Sequence, residues 1–179
     1  MFLDDFIERS HCNLLQTTAK LPLAYLVSRG VTLQEIKKYK LGFSGTFMPN
    51  VDESLDPEAK HFNKWLGWRG KFIKGRLVFP IYDGLGNVKG IETRALDRRS
   101  MDVLKPRFKE SLKHLIDATP ENEIRYKKFY FEKSKFTSTF FCLPGSLESI
   151  WETRTVFLTE GILDLLTVLK IKPNCLSSF

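Results

Sequence analysis

The sequence predicts an α+β fold, with a mixed helical and antiparallel-sheet N-terminal part followed by a strand–helix–strand unit of α/β type. Three stretches carry that prediction. Helical spacing with start and stop signals fills residues 1–45. Two β-branched and apolar runs enclose a D-G-L-G-N turn between Leu77 and Leu96, the pattern of a hairpin. Arg154 to Leu169 begins as a strand-like run, turns at Glu160-Gly161 and continues with apolar pairs at helical spacing.

In the first stretch, Phe2, Leu3, Phe6 and Ile7 recur at helical spacing, and Leu14 and Leu15 follow after a break. Pro22 can open a second helix through Leu23, Tyr25, Leu26 and Val27, with Gly30 as its stop. Thr32 and Glu35 form a capping box for a third helix, carried by Leu33, Ile36, Lys37 and Tyr39 and ending near Leu41-Gly42. Residues 46–64 read as a polar, acidic surface loop, and an aromatic element from Phe62 to Trp68 follows it. No chemistry is assigned to either.

The hairpin follows a basic, glycine-bearing run from Arg69 to Arg76. Leu77 to Tyr82 is the outgoing strand, and Val88 to Leu96 returns after the Asp83–Asn87 turn. Proline cannot donate to a ladder, so Pro80 implies an edge or a bulge there. Residues 98–150 then interleave lysines and arginines with Phe and Tyr. Such a mixture suits a groove for single-stranded nucleic acid, cations on phosphates and rings on bases. An aromatic-cored, cationic-surfaced β segment would show the same alternation, and residues 106–124 look like an insertion within it.

The last stretch opens with a Pro144-Gly145 turn and a short helix around Leu147 to Trp151. Val156, Phe157 and Leu158 have the composition of a buried strand, and Gly161 lets the backbone turn sharply and leaves room for a ligand. Glu160 ends that strand and Asp164 lies four residues on, so both carboxylates can face one small volume. Oxygen donors beside a helix start make a seat for a hard cation, Mg²⁺ or Mn²⁺. An ordinary strand–turn–helix, with a solvated Glu and a first-turn Asp favoured by the macrodipole, has the same residues. After Pro173-Asn174, Cys175 to Phe179 starts a second parallel strand and completes a βαβ unit. The chain thus divides into a helical part (1–45), a basic antiparallel part (46–150) and the α/β part (151–179).

Composition bounds the function. Hydrophobic residues make up 42% of 179, with 15 Phe, which supports a core and argues against wholesale disorder. A net charge of +7 favours a polyanionic partner. Cys12, Cys142 and Cys175 show no C-x-x-C spacing, which argues against a structural zinc or a disulfide framework and for a reducing compartment. Asp4, Asp5 and Glu8 rule out a signal or transit peptide, and no apolar run approaches the roughly 20 residues of a membrane span. A cytoplasmic protein with no membrane partner is expected.

Two phrases carry a family resemblance. G-R-L-V-F-P-I-x-D-x-x-G-x-V-x-G-I-x-x-R, from Gly75 to Arg94, is similar to a phrase of the bacterial and phage DnaG-type DNA primases. The helical phrase from Leu23 to Phe43 resembles the start of their polymerase domain, and E-G-x-x-D at Glu160–Asp164 resembles the first motif of the Toprim domain. The resemblance implies a nucleotidyltransferase (a DNA-directed RNA polymerase) that makes short RNA primers from ribonucleoside triphosphates on single-stranded DNA during replication, with a replicative helicase as partner. It implies that Glu160 and Asp164 are catalytic and hold Mg²⁺ or Mn²⁺. Arg94 would be catalytic and lie in a basic groove beside them, and Arg76, Lys127, Lys128 and Lys135 would join it in contacting nucleic acid or nucleotide.

The sequence also departs from the family. The lysine-glycine-arginine phrase that precedes Toprim is not reproduced, no zinc module stands at the front, and no D-x-D follows Asp164. Glu160 and Asp164 are therefore expected to form half of a metal site, and residues 1–179 alone are expected to make no primer. A non-catalytic nucleic-acid-binding relative is one alternative. A Toprim nuclease or topoisomerase relative is another, disfavoured by the F-P-I hairpin.

Overall fold

A computed structural model of the chain describes residues 2–16, 19–45, 75–96, 128–132 and 142–177. The expected acidic loop, the aromatic element, the insertion, Lys127 and Lys135 all lie outside these residues. The elements are α1 (Phe2–Leu15), α2 (Lys20–Ser28), α3 (Leu33–Lys38), β1 (Gly42–Phe43), β2 (Arg76–Tyr82), β3 (Val88–Ala95) and β4 (Lys128–Glu132). They continue as α4 (Ser146–Thr153), β5 (Phe157–Thr159), α5 (Ile162–Val168) and β6 (Cys175–Ser177). The fold is α+β, with a four-stranded sheet ordered β1-β2-β3-β4 and a parallel pair β5-β6. The chain divides into two compact units, Met1–Phe79 with Glu92–Phe131, and Pro80–Ile91 with Glu132–Phe179.

In the first unit α1 runs without the expected break. Its buried stripe is Leu3, Phe6, Ile7, Ser10 and Leu14, helical spacing throughout. A buried serine at the fourth position hides the continuity from a search for apolar residues. The small side chain is needed because Gly42 of β1 lies directly against it: a Cβ on Gly42 would stand 2.7 Å from the Ser10 Cβ. His11, which suggests no role in the sequence, donates from Nδ1 to the Leu41 carbonyl at 2.8 Å and so ties α1 to the α3–β1 link.

Helix α2 starts at Lys20, so Pro22 is its third residue rather than its opening one. That is tolerated because first-turn N–H groups have no intrahelical acceptor to lose. It ends in a Schellman motif: Gly30 N–H donates to the Val27 carbonyl at 2.9 Å and Val31 N–H to Leu26 at 3.0 Å, with Gly30 at φ 82°. The capping box of α3 is present as expected, Glu35 N–H donating to Thr32 Oγ1 at 3.2 Å and Thr32 N–H to Glu35 Oε2 at 2.7 Å. Helix α3 repeats the α2 ending, with Leu41 N–H donating to Ile36 at 3.0 Å, but Lys40 holds the left-handed position at φ 49°. The glycine expected to stop this helix, Gly42, is already in β1.

Strand β1 pairs antiparallel with β2, Gly42 opposite Val78 and Phe43 opposite Leu77, and reaches no farther. The edge expected at Pro80 is not what the sheet shows: β2 is an inner strand between β1 and β3, and among the described residues β1 is paired with it only at Val78 and Leu77. Every residue of β2 is buried. Full burial of side chains such as Leu77 and Phe79 is worth about 1.5–3 kcal/mol each.

In the second unit the hairpin tip is closed by Asp83. Its N–H donates to the Asn87 carbonyl and Gly86 N–H to its own, at 2.9 and 3.0 Å, with Gly86 at φ 81°. The parallel pair places Phe157 opposite Cys175 and Thr159 opposite Ser177, with α5 as the crossover, the βαβ unit the sequence predicts. Asn174 leads into β6: it is buried, donates from Nδ2 to the Thr155 carbonyl at 2.9 Å, and accepts from Phe157 N–H at 2.9 Å. Ile162, Leu163, Leu165 and Leu166 of α5 are buried.

Two expectations fail here. Val156, Phe157 and Leu158 are exposed, Leu158 to 60%, so β5 is not a buried strand. Among the described residues β6 is its only strand partner, and α5 turns its apolar face inward without enclosing them. Gly161 is extended, at φ −170° and ψ 158°, a conformation open to any residue, so the turn at this point does not depend on glycine.

Candidate active site

Strand β3 positions the basic side chains of the first unit. Side chains two apart on a strand share a face, which puts Glu92 and Arg94 together and Thr93 on the opposite face. Arg94 Nη2 donates to Glu92 Oε1 at 3.1 Å, with 14% of the arginine side chain and 3% of the glutamate exposed. The carboxylate is thus a same-strand neighbour two residues back. Its burial makes this a low-dielectric pair, stronger than the surface kind and costly to break from one side. Arg94 Nε is buried and has no hydrogen-bond partner among the described residues.

Arg76 faces Thr93. Its Nε donates to Thr93 Oγ1 at 3.1 Å and its Nη2 to the Thr93 carbonyl at 3.3 Å, and only 3% of the residue is exposed. Its backbone N–H donates to Ser44 Oγ at 3.0 Å, joining β2 to the end of β1. Arg76 therefore clamps the sheet from within. Lys128 lies at the start of β4, on the far side of β3 in strand order. Lys127 and Lys135 are outside the described residues.

The carboxylates belong to the second unit. Glu160 follows β5 and precedes the N-cap Gly161, and Asp164 lies in the first turn of α5. Both are exposed. Since Glu160 stands outside the helix, the i,i+4 rule that suggests a shared face does not govern the pair. Their oxygens have the right donor chemistry for a hard cation. Among the described residues no group of three or more His, Cys, Asp or Glu side chains could hold a metal.

No activated nucleophile stands out among the cysteines. Burial, then the charges of Glu148 and Asp83, pushes the Cys142 thiol up, and burial does the same to Cys175. The sequence marks Arg94 through its phrase, whereas Glu92 carries no role there. Its period-2 spacing from Arg94 was the available signal, and burial on both faces was the missing fact.

The fold, an antiparallel F-P-I hairpin followed by a βαβ unit, is similar to about half of the DnaG-type primase catalytic core. The E. coli primase catalytic core superposes with a TM-score of 0.61 at 19% identity, covering 99% of this chain and 53% of that one. A DnaG primase catalytic domain bound to ssDNA superposes with a TM-score of 0.62 at 20% identity, covering 99% of this chain and 54% of its own. In sequence, the DNA primase of Chlamydia pneumoniae is 27% identical over 161 residues, 88% of this chain and 24% of that protein. The resemblance to DnaG-type primases, drawn from the hairpin, holds in both sequence and fold. The chain spans about a quarter of that relative and about half of the solved cores. No family model matches it. No helix among the described residues is long and apolar enough to cross a membrane.

Proposed function

We propose that this chain acts in DNA priming, as part of a nucleotidyltransferase that joins ribonucleoside triphosphates into short RNA primers on single-stranded DNA. The observation that carries the reading is the β2–β3 hairpin with Arg94 at its return. Its sequence phrase, its antiparallel geometry and its position ahead of the βαβ unit agree with one family. The 27% identity to a curated DNA primase over 88% of the chain supports it, as does the net charge of +7.

In this reading the Arg94 guanidinium, held by Glu92, offers a planar fork to a phosphate of template or nucleotide. Arg76 supports it by fixing Thr93, the residue between them. Lys127, Lys128 and Lys135 would contact nucleic acid or nucleotide as well. Glu160 and Asp164 would hold Mg²⁺ or Mn²⁺, which when bound stabilises the charge that develops on triphosphate oxygens. Two carboxylates are fewer than a two-metal centre uses, so residues 1–179 alone should make no primer. A replicative helicase and a cytoplasmic setting follow from the same reading.

The test is binding of labelled single-stranded DNA to the chain, followed by fluorescence anisotropy across a salt series. The expected result is affinity that falls log-linearly with salt, with a slope of about −0.7 for each phosphate neutralised. No binding at low salt, or binding indifferent to salt, would overturn the reading. Primer synthesis by residues 1–179 with Mg²⁺ would show instead that Glu160 and Asp164 suffice.

A further inference from the structure

The Arg94 guanidinium is held by a single described partner, the buried Glu92 carboxylate, at 3.1 Å, and its Nε is buried with no acceptor among the described residues. From that geometry we infer that Glu92 is a positioning residue: it fixes the orientation of Arg94 so that the remaining donors of the guanidinium meet an anionic oxygen, such as a nucleic-acid phosphate. The inference rests on the reading of Arg94 as a phosphate-binding residue and adds how that arginine is aimed.

Three observations carry it. An arginine side chain has a large rotamer entropy, and a partner that holds it in one rotamer removes that cost from binding. Glu92 is itself fixed, because it is 3% exposed on a strand whose next residue, Thr93, is clamped from the other face by Arg76 at 3.1 and 3.3 Å. A guanidinium also carries five donors, and one carboxylate oxygen at Nη2 does not satisfy them, so the terminal donors not turned to Glu92 remain to meet a further acceptor. Mere charge neutralisation makes the opposite prediction, because a carboxylate beside a phosphate-binding arginine would then weaken the attraction of the anion.

The experiment measures the affinity of the full chain for a labelled oligothymidylate over a salt series, comparing the chain with Glu92→Gln, Glu92→Asp and Arg94→Gln, each checked for folding by its thermal transition. If Glu92 positions Arg94, Glu92→Gln weakens binding severalfold while the salt slope stays put, since no phosphate contact has been deleted. Glu92→Asp, which keeps the charge but pulls it back, falls between the two. Arg94→Gln reduces the slope by about 0.7, one phosphate contact on a single strand. Tighter or unchanged binding by Glu92→Gln, with Arg94→Gln behaving as expected, would overturn the positioning role and leave the reading of Arg94 intact. An unchanged slope in Arg94→Gln would overturn that reading, and the positioning role with it. Should Glu92→Gln fail to fold, Glu92→Asp decides alone: weaker binding at constant slope supports the role, and unchanged affinity ends it.

Discussion

Gly42 and Ser10 meet where β1 crosses α1, so closely that a Cβ on Gly42 would stand 2.8 Å from the Ser10 carbonyl carbon as well as 2.7 Å from its Cβ. The obstacle is helix backbone, which cannot swing aside as the tip of a side chain would. Gly42→Ala is therefore expected to destabilise the chain by about 1–3 kcal/mol, the usual cost of overpacking. Ser10→Ala should cost nothing or stabilise slightly, because the buried Ser10 hydroxyl has no hydrogen-bond partner among the described residues. Urea unfolding of the two variants checks both signs. A harmless Gly42→Ala would mean that β1 is free to move off α1.

Lys40 occupies the left-handed position that closes α3, where glycine is the usual residue, and pairs with Glu8 of α1. In a Glu8→Gln background, where the ion pair is already gone, Lys40→Gly should stabilise the chain by about 1 kcal/mol through relief of backbone strain. Thermal melts of the single and double variants measure it, and a lower midpoint in the double variant would count against strain at Lys40.

Asp83 gives the hairpin tip a pH dependence. Burial acts to raise its pKa, but hydrogen bonds from Asn87 N–H, the Lys89 ammonium, the Asn87 side chain and Leu85 N–H outweigh it and lower the pKa from 3.8 to about 2. A folded-state pKa below the unfolded one adds stability that is fully present above about 3.8 and is lost as pH falls towards 2. Asp83→Asn should lower stability above pH 4, and the gap between it and the parent chain should close with acid. Urea midpoints measured from pH 5 downward test this. A gap that stays constant would separate the loss from protonation of Asp83.

The α5–β5 region should divide sharply under mutation. Leu165 is fully buried in α5, so Leu165→Ala should cost about 2–5 kcal/mol. Leu158 on β5 is 60% exposed, and Leu158→Ala should stay within about 0.5 kcal/mol. Equal losses in the two variants, read from denaturant midpoints, would show that β5 is covered in solution.

Much of the architecture was legible because local chemistry decided it. Thr32 and Glu35 predicted a capping box that is present atom for atom. The D-x-x-G turn predicted the hairpin, and the apolar pairs after Gly161 predicted α5 and the βαβ unit. These signals act over a few residues, so a single chain displays them. The site was less legible. Arg94 stood out through its phrase, but nothing local says that the carboxylate of Glu92 is buried beside it. Arg76 was expected to contact nucleic acid or nucleotide, and only the packing of β2 between β1 and β3 shows that it is buried in the sheet.

By itself the sequence determined the fold class, the three N-terminal helices, the hairpin, the βαβ unit and the family it resembles, since periodicity, capping and turn chemistry are short-range. Tertiary structure decided which residues those elements enclose. It made Ser10 a core residue because Gly42 lies on it. It buried Arg76 and Glu92 within the sheet and left Val156, Phe157 and Leu158 in solvent. Burial depends on what lies opposite a side chain across the fold, and residues far apart in the sequence supply that.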